Sequence, residues 1–197
     1  MKRILALVTA LLMAVTIVSC DDKKEETDVG YTKGEVVQNA YESNWAGVEY
    51  AIPEGLNVLT EEDTYMLMGM PKEDIEKGVD VSELDNVYEL YGSSADGSMV
   101  IINTFKNIDT VTKIADMKNE FDGKANDLLK PSYTDETTVT YGGVEFTRLD
   151  DTASAPDFVM YQTYLLKDVD EHVFCISAAA FTEERVEELL GGISQYK

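Results

Sequence analysis

Along most of the chain apolar residues recur every second position, and in a few stretches every third or fourth. Val48, Tyr50 and Ile52 alternate with Glu49 and Ala51, which predicts a half-buried strand closed by Pro53-Glu54-Gly55. Thr60 followed by Glu61, Glu62 and Asp63 reads as an N-cap with an acidic first turn, opening a short helix that Pro71 stops. Lys72 to Asp85 is a polar connection with room for a helical turn. Val87–Tyr91 and Met99–Phe105 flank Gly92-Ser93-Ser94-Ala95-Asp96-Gly97 and predict a hairpin with a loose loop. Val111, Ile114, Met117, Phe121, Ala125 and Leu128 form one apolar stripe, which predicts a long helix ending before Pro131.

Gly142-Gly143 predicts a tight primed turn that pairs Tyr141 with Val144 and sets Val139 opposite Phe146. Two more strands are expected near 158–167 and 172–179. Thr182 then caps a last helix with Val186, Leu189, Leu190 and Ile193 on one face. Hairpins with segregated helices define an α+β class: an antiparallel sheet of about six to seven strands covered by helices. This body is expected to fill residues 41–197 as a single domain.

The first forty residues follow other rules. Lys2 and Arg3 precede an apolar stretch from Ile4 to Val18. As a helix that stretch reaches about 22 Å, short of the ~30 Å of bilayer hydrocarbon, which suits a signal-peptide core better than a span. The junction Ile17-Val18-Ser19-Cys20 resembles the bacterial lipobox. The resemblance implies cleavage after Ser19, removal of 1–19, and diacylglycerol on the Cys20 sulfur; a plain signal with an incidental cysteine is the competing reading. Acylation would place the protein on the extracytoplasmic face of the cell membrane, held by lipid. Residues 20–40 are charged and lack an apolar period, so they read as a flexible acidic tether with an r.m.s. reach of roughly 25 Å.

Charge narrows the partners. Sixteen Lys and Arg face thirty-eight Asp and Glu, a formal −22. Such a surface repels nucleic-acid phosphates and anionic headgroups, which leaves basic proteins, cations and neutral ligands.

The stretches "WAGVEYAIPEGLNVLTEED" and "YGGVEFTRLD…YQTYLLKDVDEHVFCISAAAFTEERVEELL" resemble the PsbP-like fold of small bacterial lipoproteins. The likeness covers about residues 41–195. It implies a module that binds other proteins or assists assembly, and it supplies no catalytic residue to carry over.

The residues themselves offer little catalytic chemistry. His172 is the single histidine and stands three residues from Cys175 in an expected strand, so the two fall on opposite faces and form no local dyad. Nucleophile elbow, P-loop, dinucleotide fingerprint and H-E-x-x-H are all missing, so no enzyme and no cofactor are expected. Cys175, in an apolar run, reads as a small buried hydrophobe.

Metal and ligand candidates remain. Met66, Met68 and Met70 supply soft thioethers of the kind copper(I) takes, but on a helix alternate residues diverge by about 200°. Asp150, Asp151 and Asp157, and Asp168, Asp170 and Glu171, could offer calcium oxygens, without EF-hand spacing. Trp45, just before the first strand, is the aromatic best placed to meet a ligand. The expectation is a lipid-anchored, non-enzymatic binding or interaction module for an envelope protein or small ligand. The alternative is an extracytoplasmic copper- or calcium-binding protein.

Overall fold

The run HVFCISAAA lacks polar alternation because His172–Ala180 is buried on both faces, at the centre of a sheet. In the computed structural model, which describes residues 30–81, 84–124 and 130–197, that strand is β11 of twelve. The others are β1 (Glu35–Val37), β2 (Ala40–Ser43), β3 (Val48–Ala51), β4 (Asn57–Val58), β5 (Asn86–Ser93) and β6 (Met99–Phe105). Then come β7 (Lys130–Tyr133), β8 (Thr137–Tyr141), β9 (Val144–Ala155), β10 (Phe158–Val169) and β12 (Ile193–Gln195). Among the described residues four helices accompany them: α1 (Glu61–Leu67), α2 (Lys72–Glu76), α3 (Thr110–Lys124) and α4 (Glu183–Leu190).

The strands form two antiparallel sheets rather than the one of six to seven strands expected. The larger runs β4-β5-β6-β11-β10-β9-β7, with β8 also on β9, and the smaller runs β1-β2-β3-β12. The α+β class therefore holds, and the difference lies in short polar strands. Strands such as Glu35–Val37 and Asn57–Val58 are too brief to show a period, and pairing with a neighbour is what makes them strands.

The layers follow from side-chain alternation. One face of the large sheet sends Val100, Ile102, Leu165, Phe174 and Ile176 against Tyr41, Val48 and Tyr50 of the small sheet and Val186, Leu189 and Leu190 of α4. The opposite face carries two apolar clusters. Tyr88, Tyr91, Met99 and Ile101 pack with Leu67 and Met68 of the α1 end, and Phe105, Leu149 and Leu166 pack under Ile114, Met117 and Phe121 of α3.

Several expectations hold in detail. Thr60 accepts from the Asp63 amide and Thr182 from the Arg185 amide, so both caps are present. Gly142 and Gly143 both have positive φ, and Val139 lies opposite Phe146. A Cβ on Gly142 would also run into the Ile193 carbonyl, so glycine is required there twice over. Val111 is the exception: it is 80% exposed, and the buried stripe is Ile114, Met117 and Phe121. Ala125 and Leu128 lie outside the described residues, as do Ser19 and Cys20.

The largest correction concerns residues 30–40, expected as tether. They fold back as a strap and as the edge strand β1, held by a buried carboxylate. In the β5–β6 pairing the register skips Glu89, a bulge that turns its side chain toward the small sheet. Four donors meet it there: the Gly34 amide at 2.7 Å, the Tyr41 hydroxyl at 2.5 Å, the Tyr31 hydroxyl at 3.3 Å, and the Thr104 hydroxyl. Burial above all, and then the Glu89 charge, hold the Tyr41 phenol well above its ordinary pKa, so it stays a donor. Lys33 pairs with Glu61 of α1, and the Tyr31 ring meets Trp45 edge-on at 5.1 Å.

Gly34 has no room for a side chain, because a Cβ would collide with the Tyr41 hydroxyl. Gly34→Ala is expected to cost about 1–3 kcal/mol in denaturant unfolding, the range of an overpacked core site. Hydrogen exchange should then speed up across residues 30–43 ahead of β10 and β11; unchanged exchange in the strap would contradict this account.

Candidate functional site

The polar connection between Pro71 and Asp85 walls one of the cavities of the surface. Helix α1 presses Tyr65, Leu67 and Met68 onto the sheet and ends at Met68, after which Gly69 turns the chain at φ 86°. The Met70 amide returns to the Tyr65 carbonyl at 3.0 Å, and Pro71 opens α2. Gly78 then reverses the chain again at φ 89°. No heavy atom lies within 4 Å of where a Cβ would sit on either glycine, so both leave open space.

Between this double turn and β5 lies a cavity of about 600 Å³. Tyr65, Met68, Met70 and Pro71 line one side, and Val79 and Leu84 another, while Asn86 and Tyr88 of β5 form the floor. The volume is within the usual range for small-molecule sites. Polar groups are few. Asp74 and Lys77 pair at 3.2 Å, and Asp80 adds a second carboxylate. Asn86 accepts from the Asn103 amide at 2.9 Å through Oδ1, which leaves its buried Nδ2 as a donor without a partner. Burial raises the Tyr65 phenol above its ordinary pKa, against the pull of Lys33 beneath it. Among the described residues the lining holds no histidine, cysteine, serine or threonine. This chemistry favours holding a molecule over attacking one.

The sequence candidates scatter around this cavity. Met68 and Met70 line it, whereas Met66 is 43% exposed and absent from the wall, as helical divergence requires. Trp45 is half-buried, with its Nε1 donating to Asp170 at 3.3 Å and its ring 5.8 Å from that of His172. It braces the strap and is no exposed platform. His172 Nδ1 accepts from the Asn107 amide at 3.2 Å on the strap side, while Cys175 packs in the cluster under α3, on the other face.

Three of the acidic candidates, Asp150, Asp168 and Asp170, have structural employment, Asp170 by accepting from Trp45. Asp168 takes the amide and the hydroxyl of Thr110, each at 2.8 Å, and so caps α3. Asp150 takes Arg148 at 2.9 Å and Thr163 at 2.6 Å. Arg148 goes on to Glu187 of α4 at 2.7 Å, and burial first, with Glu187 second, pushes the neighbouring Tyr141 phenol up to about 12. Sequence reasoning missed Asn86 and Tyr88 as site residues. They read as ordinary strand positions, and the loop that roofs them shows no apolar period.

No protein-family model matches the chain, and no curated protein does. Among solved structures it is similar to cyanobacterial PsbP (CyanoP) from Synechocystis sp. PCC 6803 at 12% identity and a TM-score of 0.48, covering 88% of this chain and 98% of that one. It is also similar to LpqN, involved in cell envelope biogenesis of Mycobacterium tuberculosis, at 13% identity and a TM-score of 0.42, covering 76% and 83%. The first is a protein of the family whose motifs the sequence resembles.

Burial pushes the Cys175 thiol up to about 12, with Lys113 pulling the other way. At pH 8 its thiolate is negligible, so the peptide containing Cys175 should take up no iodoacetamide from the native protein and label fully in denaturant. Rapid native labelling at Cys175 would refute its buried placement.

Proposed function

We propose that the protein is a lipid-anchored extracytoplasmic binding protein whose folded body holds a small molecule between the α1–α2 turn and β5, without catalysing its conversion. The observation that carries the reading is the cavity itself. It has a predominantly apolar and aromatic wall, a buried amide donor without a partner in its floor, and, among the described residues of its lining, no histidine, cysteine, serine or threonine. The two residue types best suited to nucleophilic chemistry, His172 and Cys175, stand elsewhere and apart.

Export and anchoring are supported by the positive start, the apolar core of fifteen residues and the Ser19-Cys20 junction. Among the described residues no helix is long and apolar enough to cross a membrane. The copper alternative rests on two thioethers, Met68 and Met70, since Met66 lies off the wall.

Two mass measurements test the two halves. Protein extracted from membranes should begin at Cys20 and carry diacylglycerol mass on its first peptide; an unmodified Cys20 ends the anchoring claim. Native mass spectra of gently extracted protein should show a small-molecule adduct that Val79→Trp, by filling the cavity, removes without lowering the melting temperature by more than a few degrees. An adduct retained in the variant would place the binding elsewhere.

A further inference from the structure

The strap seated on Glu89 reaches both walls of the cavity, which bears on how the cavity is regulated and rests on the small-molecule reading above. The first tie runs to α1. Lys33 pairs with Glu61 there, and its Nζ stands 5.4 Å from the ring centroid of Tyr65, a lining residue. The second tie runs to the opposite wall. The Tyr31 ring centroid lies 4.9 Å from the Lys106 Nζ, and that ammonium donates to the Val81 carbonyl at 2.9 Å. Val81 belongs to the stretch that supplies Val79, Asp80 and Leu84 to the lining. Glu89 anchors both ties at once, through the Tyr31 hydroxyl and the Gly34 amide.

What holds the strap is mostly polar and local. All three residues of β1 are exposed, and the Tyr31 ring supplies the aromatic contacts, 5.1 Å from Trp45 and 6.0 Å from His172. Segments held in this way open at a lower free-energy cost than a core unfolds. The large sheet does not depend on them, since β5, β6 and β11 pair with one another. Release of the strap therefore leaves the floor, Asn86 and Tyr88, on its strand.

We infer that the strap is a clasp on the cavity. Docked, it holds α1 and the wall around Val79 and Leu84 in place; released, it loosens both and weakens binding between them. Coupling of this kind is reciprocal, so a bound molecule also holds the strap down. A partner that captured residues 31–34 would open the cavity without touching it.

Amide exchange in the full-length protein, resolved by NMR, tests the clasp. The Met68 and Met70 amides report on α1, and those of Leu84 and Lys106, which donate to the Val81 and Asp85 carbonyls, report on the other wall. Lys33→Met should speed exchange about two- to fivefold at the first pair and leave the second; Tyr31→Leu should do the reverse. Lys33→Arg should keep the wild-type rates. The Gln195 amide, on the Gly142 carbonyl, is the remote control. Unchanged exchange at both walls, or an equal rise at Gln195, overturns the clasp. Indole, a neutral ring, then probes binding through the Gly69 and Gly78 amide shifts. Its midpoint should rise about two- to fivefold in each weakened variant, and in the wild type it should slow exchange at Gly34. Equal midpoints overturn the clasp and leave the cavity reading intact. Should indole move neither glycine in any form, the small-molecule reading and the control of binding fall together.

Discussion

A carboxylate buried in a protein must be met by donors, and Glu89 imposes that requirement on everything around it. Glu89 is 8% exposed, and the bulge in β5 turns it away from the helices toward the small sheet. Hydrogen bonds to a charged group contribute about 1.5–3 kcal/mol each, and an unmet buried charge costs more than that. The chain answers with Thr104 from the adjacent strand, with Tyr31 and Gly34 from the strap, and with Tyr41 from β2. One side chain thereby joins the two sheets and ties the strap to both.

The same strand serves the cavity. Asn86 and Tyr88 look one way, into the space under the α1–α2 turn, and the bulged Glu89 looks the other way. Helix α1 lies between these two systems, because Lys33 of the strap pairs with Glu61 on it and sits 5.4 Å from the Tyr65 ring centroid. Strap, helix and cavity wall are therefore in mechanical contact, residue to residue. A single bulge makes this possible by giving one strand two sets of duties.

How much of this the sequence discloses depends on how long each element is and what it packs against. The Gly142-Gly143 hairpin, the caps at Thr60 and Thr182 and the doubly buried β11 were legible, because local chemistry and core packing agree at those places. Val111 misled, since its spacing fits the stripe while its helix turn overhangs solvent. The strap misled for the opposite reason. Its residues are polar and show no period, and what orders them is a carboxylate some fifty residues away. The cavity was illegible for the same cause: its roof is a polar connection given shape by two left-handed glycines. Pattern reveals what faces a continuous core, and it is silent about polar segments recruited by a distant charge.

The strap also bears on the anchor proposed above. With the strap docked onto Glu89, an acylated Cys20 would stand ten peptide steps from Gly30 rather than twenty from the fold. Ten steps span at most about 35 Å, less than the ~40 Å width of a domain of this size. A body so anchored would be leashed to its leaflet by less than its own width.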